Sequence, residues 1–328
     1  MRGCLRWLSA VVLVFLIAGC APVVQPRGPD NVAPRLDADA FVTADGMRLP
    51  LRVWPAEGKL RALVVALHGF NDYSKSWTGP AEWWAAHGIA TYAYDQRGFG
   101  AAPFHGLWPG TRPLAEDARD MLRLVAARHP GVPIYLVGES MGAAVAIVAL
   151  TGPEAPTVSG VVLAAPAVWG AQTMSPFYRG TLWFFAHVMP WNRLTGQALH
   201  IRASDNMAAL EALGRDPLVI KRTRTDAVYG LVRLMGRAFA DAPRLRVPTL
   251  VLYGRHDEII PQRPVRELVA RIKAPHELAI YPHGWHLLFR DLDRKLVWRD
   301  VLSWMENRNA PLPSGFAHAA WPRRLARR

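Results

Sequence analysis

The stretch YLVGESMGAA, residues 135–144, decides how this sequence folds. Its apolar first half predicts a buried β-strand, and the small residues that follow predict a helix. Ser140 stands at the junction, with Gly138 and Gly142 two residues away on either side. A side chain at either glycine would collide with neighbouring backbone if the strand turned directly into the helix. The pattern therefore predicts a sharp turn that projects one hydroxyl group.

The order of strand, Gly-x-Ser-x-Gly and helix is the pattern of a nucleophile elbow, in which the hydroxyl group attacks a substrate. The first turn of the following helix offers free backbone N–H groups that can stabilise a developing oxyanion. The alternative is a structural turn that contains a serine by chance. The predicted strand and helix on either side favour the first interpretation, which makes Ser140 the candidate nucleophile.

Around this motif, apolar stretches of strand length alternate with helical stretches. The strand-like stretches lie at 61–70, 89–95, 158–167, 248–254 and 276–282, and the longer helical ones at 113–131, 263–272 and 291–308. Such alternation predicts an α/β fold, with a mostly parallel eight-stranded sheet and helices on both faces. Residues 40–56 add a hairpin that turns at Asp45 and Gly46.

The alternation stops in the middle of the chain, where no strand is predicted between Pro166 and Arg246. We interpret residues 168–243 as an inserted helical cap, which divides the core into residues 41–167 and 244–310. The cap contains a stretch rich in aromatic residues and methionine, at 173–191. This stretch predicts either an acyl-chain pocket with an apolar entrance or simply the cap's own core.

The first 19 residues predict a lipoprotein signal peptide. Arg2 and Arg6 precede an apolar run that is too short to span a bilayer comfortably. LIAGC, at residues 16–20, resembles a bacterial lipobox, which implies cleavage before Cys20 and lipidation of Cys20. The alternatives are a secretory signal that is cut elsewhere and an anchor that is not cut. Cys4 is the only other cysteine, so no disulfide is expected.

Two further segments flank the predicted core. Residues 20–40 are rich in proline and lack periodicity, which predicts an extended tether. Residues 311–328 predict a basic tail that is either a frayed, solvated end or a membrane contact. The formal net charge of +13 suits a chain that lies against an anionic membrane surface.

These features together imply a place in the bacterial cell envelope, with the membrane as a partner through lipidated Cys20. Ala21 follows the cysteine and resembles the residue found in lipoproteins sent to the outer membrane, which points to its periplasmic face. Nucleic acid is not expected as a partner, because an exported, lipid-anchored chain without a nucleic-acid motif would not encounter it.

The body, at about residues 40–308, resembles the α/β-hydrolases, and within them the monoacylglycerol lipase and lysophospholipase branch with its serine aminopeptidase-type domain. The motifs that carry the resemblance are LHGF at 67–70, DQRGFG at 95–100, GESMG at 138–142, GRHDEIIP at 254–261 and HGWHLLFRD at 283–291. They occur in the family's order and at about its spacing. The resemblance implies an α/β-hydrolase fold and a serine-dependent acyl transfer.

The resemblance also implies a catalytic triad in the order Ser140, Asp257, His286. Glu258 is the alternative candidate for the acid of the triad. Asp257 itself could instead have a structural role, as the cap of the helix that follows. His283 is the rival of His286, and the family pattern of a histidine followed by apolar residues and an acid favours His286. The histidines do not occur at metal-ligand spacing, so neither a metal nor another cofactor is expected.

The family's oxyanion hole implies two backbone donors, the N–H groups of Phe70 and Met141, with His68 in a structural role. The expected activity is hydrolysis of a lipid-like carboxylic ester, a lysophospholipid or a monoacylglycerol, through an acyl-enzyme. Other acyl-transfer chemistry on the same triad stays open, as in a thioesterase, an acyltransferase or an aminopeptidase. A lipoprotein that binds envelope components without catalysis is the alternative from a different class.

Overall fold

A computed structural model describes residues 21–195 and 201–322. The predicted signal peptide, the lipidation site at Cys20 and the four arginines among the last six residues lie outside the described residues. Within the part of the chain that is described, none of the helices has the length and apolar character that crossing a bilayer requires.

The chain forms twelve strands and eight α-helices within the described ranges. In chain order they are β1 (Arg35–Leu36), β2 (Ala40–Val42), β3 (Arg48–Trp54), β4 (Ala62–Leu67), α1 (Thr78–Ala85), β5 (Ile89–Tyr94), α2 (Thr111–Arg128), β6 (Ile134–Glu139), α3 (Met141–Thr151), β7 (Gly160–Ala164), α4 (Pro176–Val188), β8 (Arg193–Leu194), α5 (Met207–Arg215), β9 (Thr223–Arg224), α6 (Thr225–Asp241), β10 (Thr249–Gly254), α7 (Gln262–Arg271), β11 (His276–Tyr281), α8 (Arg294–Glu306) and β12 (Ala317–His318).

Ten of these strands form one sheet, in the order β1-β2-β3-β5-β4-β6-β7-β10-β11-β12. The strands from β5 to β11 in this order run parallel, and the strands outside them are antiparallel. The predicted mostly parallel α/β sheet is therefore confirmed. Its eight strands are present, and the two-residue strands β1 and β12 extend it at the two edges.

The central strands are apolar along their whole length because helices cover both faces of the sheet. Every residue of β4, β5, β6 and β7 is buried. The apolar core on one face includes residues of α2, α3 and α6, and the core on the other includes residues of α1 and α8. The predicted helical stretches begin and end within three residues of the observed helices.

The middle of the chain differs from the prediction in two ways. The helix α6 belongs to the core layer, because Leu234 and Ala238 are fully buried among residues of the main apolar core. We therefore use the name cap for the described residues 171–195 and 201–224, which exclude α6 and so are fewer than the predicted 168–243. Sequence periodicity could not separate a cap helix from a core helix, since both are amphipathic. The cap also contains a two-stranded ladder, β8 with β9, whose strands are too short to show an alternating pattern.

The segment predicted as a tether does not extend away from the body. The backbone of Val24 pairs with Trp108, and the buried side chain of Gln25 donates a hydrogen bond to the carbonyl oxygen of Leu107 at 2.7 Å. Farther along, β1 pairs with β2. The first part of the predicted tail is also attached, since β12 pairs with β11 and Leu312 is buried. The lack of periodicity in these two segments gave no sign of the contacts, because each contact involves only one or two residues.

A buried ion network joins three parts of the chain: the hairpin turn at Asp45, the loop after β5 and the helix α2. The guanidinium group of Arg97 donates two hydrogen bonds to Asp45, at 2.7 Å each, and two to Asp117, at 2.6 and 2.9 Å. Burial is the largest influence on Asp117 and raises its pKa to about 6, although Arg97 acts in the opposite direction. At Asp45 burial acts to raise the pKa, but the Arg97 hydrogen bonds lower it well below its ordinary value.

Replacing Arg97 with alanine should lower the free energy of unfolding by about 3–5 kcal/mol, because two buried carboxylates then lose their shared partner. Urea unfolding followed by circular dichroism measures this change. Arg112→Ala is the matched control, because the ion pair of Arg112 with Glu116 lies at the surface, where solvent screens it, and its loss should change stability far less. Equal effects of the two substitutions would contradict the structural role of the network.

Candidate active site

Ser140 occupies the turn between β6 and α3 in a backbone conformation that is rare for a residue with a side chain. Its φ is 54° and its ψ is −113°. Two backbone hydrogen bonds hold it there, from its own N–H to Ala164 O at 2.9 Å and from Ala167 N–H to its carbonyl oxygen at 3.1 Å. Backbone strain of this kind persists only where the surrounding structure enforces it, and it occurs most often at functional sites.

The two glycines of the motif sit where no side chain fits. A Cβ atom on Gly142 would lie 2.0 Å from the carbonyl oxygen of Leu67, at the end of β4. A Cβ atom on Gly138 would lie 2.5 Å from the backbone nitrogen of Ala143. Both glycines therefore allow α3 to pack directly on the sheet, which holds Ser140 at the carboxyl end of β6.

His286 and Asp257 form the hydrogen-bonded pair that the sequence predicts. His286 Nδ1 donates to Asp257 Oδ2 at 2.8 Å, and both side chains are nearly inaccessible to solvent. The other carboxylate oxygen accepts hydrogen bonds from the backbone N–H groups of Ile259 and Ile260, at 2.9 Å each. These bonds fix the carboxylate in one orientation, so that the imidazole presents Nε2 away from it.

The rival residues lie elsewhere. Glu258 is exposed and accepts a hydrogen bond from the backbone N–H of Arg202 at 2.7 Å. His283 is also exposed. Within the described residues, neither is hydrogen-bonded to His286 or Asp257, and neither lines the cavity that contains His286.

Ser140 and His286 line the same cavity, which has a volume of about 360 Å³. The structure contains no hydrogen bond between the Ser140 hydroxyl and His286 within the described residues. In unliganded enzymes such bonds are often long and tighten only when the substrate is bound. The geometry thus brings Asp257 and His286 into contact, and Ser140 lines the same cavity as His286.

The residues predicted as the oxyanion hole surround the nucleophile. Gly69 packs against Ser140, since a Cβ atom on Gly69 would lie 3.5 Å from the Ser140 Cβ. Phe70 follows it and lines the same cavity. Met141 is the first residue of α3, so its N–H has no acceptor within the helix. Neither this N–H nor that of Phe70 donates a hydrogen bond to any other described residue, and both are available to an oxyanion.

His68 braces this loop from below. Its Nε2 accepts a hydrogen bond from the backbone N–H of Gln96 at 2.9 Å, and Nδ1 therefore carries the proton and donates to Gly69 O at 2.8 Å. Burial lowers the pKa of His68. A neutral imidazole in this fixed tautomer is a structural brace, as the sequence analysis expects.

A cluster of three buried charges beside Ser140 was missed by sequence reasoning. Arg290 donates from one nitrogen to Asp72 at 2.5 Å and from another to Glu139 at 2.9 Å. All three residues line the cavity. The sequence contained one indication of this cluster, a glutamate at the end of an otherwise apolar strand, directly before Ser140. We call Asp72, Glu139 and Arg290 the charged cluster.

Two polar atoms of the charged cluster, Glu139 Oε1 and Arg290 Nε, are buried and have no hydrogen-bond partner within the described residues. Burial acts to lower the pKa of the His286 imidazole, but the charge and hydrogen bond of Asp257, together with the nearby charge of Glu139, outweigh it. The result is a pKa of His286 above its ordinary value. A stronger base at this position suits a group that must accept a proton from a hydroxyl.

The cap is bonded directly to the loop after β4, residues 68–73, which carries Phe70, the predicted oxyanion donor. We call this segment the oxyanion loop. Asn71, whose φ is 67°, donates a side-chain hydrogen bond to Thr223 Oγ1 at 2.7 Å and accepts one from the backbone N–H of Ile220 at 2.9 Å. Nearby, the Tyr73 hydroxyl donates to Asp216 at 2.7 Å. The cap therefore supports the conformation of the loop that carries Phe70.

The remaining cavity wall is almost entirely apolar. It contains Trp169, Leu213, Val219, Leu231, Met235, Ile259, Ile260 and Leu287. The cavity thus combines a long apolar surface with one charged cluster near the nucleophile, which is the character of a site for an amphiphile. Across residues 21–195 and 201–322, no group of His, Cys, Asp and Glu side chains could hold a metal ion.

Replacing Gly142 with alanine should lower the free energy of unfolding by about 3 kcal/mol or more, because the new methyl group overlaps the Leu67 carbonyl. Thermal or urea unfolding measures the loss. Gly214→Ala is the matched control, since Gly214 lies in α5 with open space around it. This substitution should raise the free energy of unfolding by at most about 1 kcal/mol. A Gly142→Ala variant as stable as the parent would contradict the packing described here.

Several relatives of known activity resemble this chain. A monoacylglycerol lipase of Mycolicibacterium smegmatis is 29% identical over 286 residues, which cover 81% of this chain and 95% of that lipase. A monoglyceride lipase of Mus musculus is 29% identical over 306 residues, which cover 88% of this chain and 96% of that lipase.

Solved structures share the fold at lower identity. The monoacylglycerol lipase of Paleococcus ferrophilus superposes with a TM-score of 0.65 at 23% identity, covering 79% of this chain and 98% of that one. A soluble variant of monoglyceride lipase from Saccharomyces cerevisiae superposes with a TM-score of 0.67 at 19% identity, covering 87% and 98%. Both support an α/β-hydrolase fold for this chain.

The family profile Hydrolase_4, described as "Serine aminopeptidase, S33", matches residues 58–293. This range is well over half of the chain, and it contains the elbow, the oxyanion loop, the cap and the paired histidine and aspartate. The chain therefore belongs to the Hydrolase_4 serine aminopeptidase S33 family, whose fold here is that of the α/β-hydrolases.

Proposed function

We propose that this protein is a carboxylic ester hydrolase that cleaves single-chain lipid esters, such as a monoacylglycerol or a lysophospholipid. One observation carries the proposal: the strained Ser140 and His286, whose imidazole is paired with the buried Asp257, line one cavity whose wall is mostly apolar apart from the charged cluster. The mycobacterial and mouse relatives are a monoacylglycerol lipase and a monoglyceride lipase, which agrees with an ester of this class.

In the proposed reaction, the Ser140 hydroxyl attacks the ester carbonyl while His286 Nε2 accepts its proton. Asp257 stabilises the imidazolium that forms and keeps the imidazole in the productive tautomer. The N–H groups of Phe70 and Met141 stabilise the tetrahedral oxyanion. His286 then returns the proton to the leaving alcohol, and water releases the fatty acid from the acyl-enzyme by the same steps.

The apolar walls of the cavity suit the acyl chain of such a substrate. Apolar side chains from the core and the cap would surround the acyl chain, and the hydrophobic effect would favour its burial. The cavity volume of about 360 Å³ lies in the range of small-molecule sites, about 300–1,000 Å³.

We also propose that the chain is lipidated at Cys20 and held at the periplasmic face of the bacterial outer membrane. The support is the sequence LIAGC at residues 16–20 after two arginines and a short apolar run. A Cys20→Ser substitution should release the chain from the membrane fraction of producing cells.

The triad is tested with p-nitrophenyl esters of increasing acyl length. Ser140→Ala and His286→Ala should lower kcat/KM by about 10⁴-fold or more, and Asp257→Asn by a comparable factor, because each removes part of one proton-transfer unit. Glu258→Gln and His283→Ala are the controls, and both should hydrolyse the esters at the parental rate. Mass spectrometry with a panel of lipids then identifies the natural ester.

The assay also separates the alternatives. Cleavage of aminoacyl anilides without cleavage of esters would favour an aminopeptidase. Ester hydrolysis that survives in Ser140→Ala would contradict the proposed nucleophile. Substrate binding without turnover in the parent protein would favour a binding protein.

The pH profile tests the charge environment of His286. The imidazole must be neutral to accept the proton, so kcat/KM should fall as the pH decreases through the pKa of His286, which lies above its ordinary value. The negative charge of Glu139 helps to raise this pKa, so Glu139→Gln should move the acidic limb of the profile to lower pH. Glu258→Gln should leave the limb unchanged. A shift of the limb to higher pH in Glu139→Gln would contradict this account.

A further inference from the structure

The cap helix α4 exposes an unusual amount of apolar surface. Ala186 is its only buried residue, although the helix contains three phenylalanines and a tryptophan. We call the exposed apolar side chains of α4 and the turn after it the cap face, which consists of Phe177, Tyr178, Trp183, Phe184, Phe185, Val188, Met189, Trp191 and Leu194. Phe177 is 76% exposed and Trp191 is 55% exposed. A concentration of exposed aromatic side chains of this kind marks a surface that another phase or molecule covers.

The charges around the cap face favour a phospholipid bilayer as that covering. Residues 171–204 contain no aspartate or glutamate, whereas Arg179, Arg193 and Arg202 lie among them. Tryptophan and tyrosine side chains favour the boundary between headgroups and hydrocarbon, and arginines beside them attract anionic headgroups. The charge of this stretch is therefore complementary to an anionic membrane.

The amino-terminal segment is fastened next to this face. The Val23 N–H donates a hydrogen bond to Asp226 Oδ2 at 3.2 Å, and the Gln25 N–H donates one to Trp108 O at 2.9 Å. The guanidinium group of Arg27 pairs with Glu116, on α2. We call residues 22–27 the strap.

The strap lies beside the carboxyl-terminal turn of α4, the helix that carries most of the cap face. Pro22 and Val24 line a cavity of about 400 Å³ together with His187, which lies in the last turn of α4. Only Ala21 separates Cys20 from Pro22, and the two steps of chain between them can span at most about 7 Å. A lipid attached to Cys20 is consequently confined to the neighbourhood of α4.

We propose that the strap fixes the anchored end of the chain beside α4, so that the cap face inserts into the same phospholipid bilayer that holds the anchor. The inference rests on the lipid anchoring proposed above and adds an orientation to it. The cap that covers the active-site cavity is then pressed against the membrane, whereas a free tether would leave the body in random orientations.

The test uses the full chain in vesicles of phosphatidylethanolamine and phosphatidylglycerol, with single cysteines introduced for labelling. Phe184→Cys reports on the cap face, and Glu57→Cys reports on an exposed loop that precedes the amino end of β4, at the opposite edge of the sheet. A membrane-impermeant maleimide should label Phe184→Cys at least about tenfold more slowly, because hydrocarbon shields an inserted thiol from an aqueous reagent. Labelling of the parent chain, which has only its own cysteines, is subtracted.

The strap is tested by adding Gln25→Ala and Arg27→Ala to both reporters. The chain should still sediment with the vesicles, but the two labelling rates should converge. Arg35→Ala is the matched control, because it removes a charge from the same segment at an exposed ion pair with Asp37 and should preserve the difference. Circular dichroism melting verifies that every variant is folded.

Each outcome decides one part of the inference. Equal labelling of the two reporters in the parent background would overturn insertion of the cap face. Protection that persists in detergent, together with cross-linking of Phe184→Cys chains to one another, would show that a second copy covers the face instead. Protection that survives the strap substitutions would overturn the role of the strap. If the Cys20→Ser chain binds the vesicles as tightly as the parent chain, the anchoring itself is wrong, and the ester assay of the previous section still tests the activity independently.

Discussion

The close approach of α3 to β4 is the contact on which the rest of the site depends. The helix can touch the carbonyl of Leu67 only because Gly142 has no side chain. The approach confines the turn at Ser140 to a strained conformation and places the first turn of α3 next to the oxyanion loop. The hydroxyl group and the free N–H groups around it are therefore positioned by backbone packing, which is stiffer than side-chain contacts.

A second constraint is electrostatic. The buried His286 contacts Asp257 and is influenced by the charge of Glu139, whose carboxylate is compensated by Arg290. Two negative groups near one imidazole favour its protonated form, and the arginine limits this effect. The same arginine bonds to Asp72 in the oxyanion loop, so the charge balance of the base and the position of that loop depend on one side chain. Removing any member of the charged cluster would leave the others buried without full compensation.

The cap connects this centre to the surface. Its inner side bonds to the oxyanion loop through Asn71 and Tyr73, and its outer side presents aromatic residues to solvent. The cap thus contacts the loop after β4 on one side, and on the other it carries the apolar surface that we propose inserts into a bilayer. The aromatic stretch at 173–191 left open whether it formed a core or a lipid contact, and its exposure in the structure favours the lipid contact.

The sequence by itself determined the elements that depend on local chemistry. The elbow at Ser140, the alternation of strands and helices, and the loop positions of Asp257 and His286 follow from short motifs, because glycine geometry and hydrophobic periodicity act over a few residues. Only the tertiary structure decided which distant groups meet. Asp72 and Arg290 are separated by 218 positions, and nothing local to either predicts their contact. The same holds for α6, which joins the core layer, and for the strap, which docks beside the cap, because burial of a surface depends on what the rest of the chain brings to it.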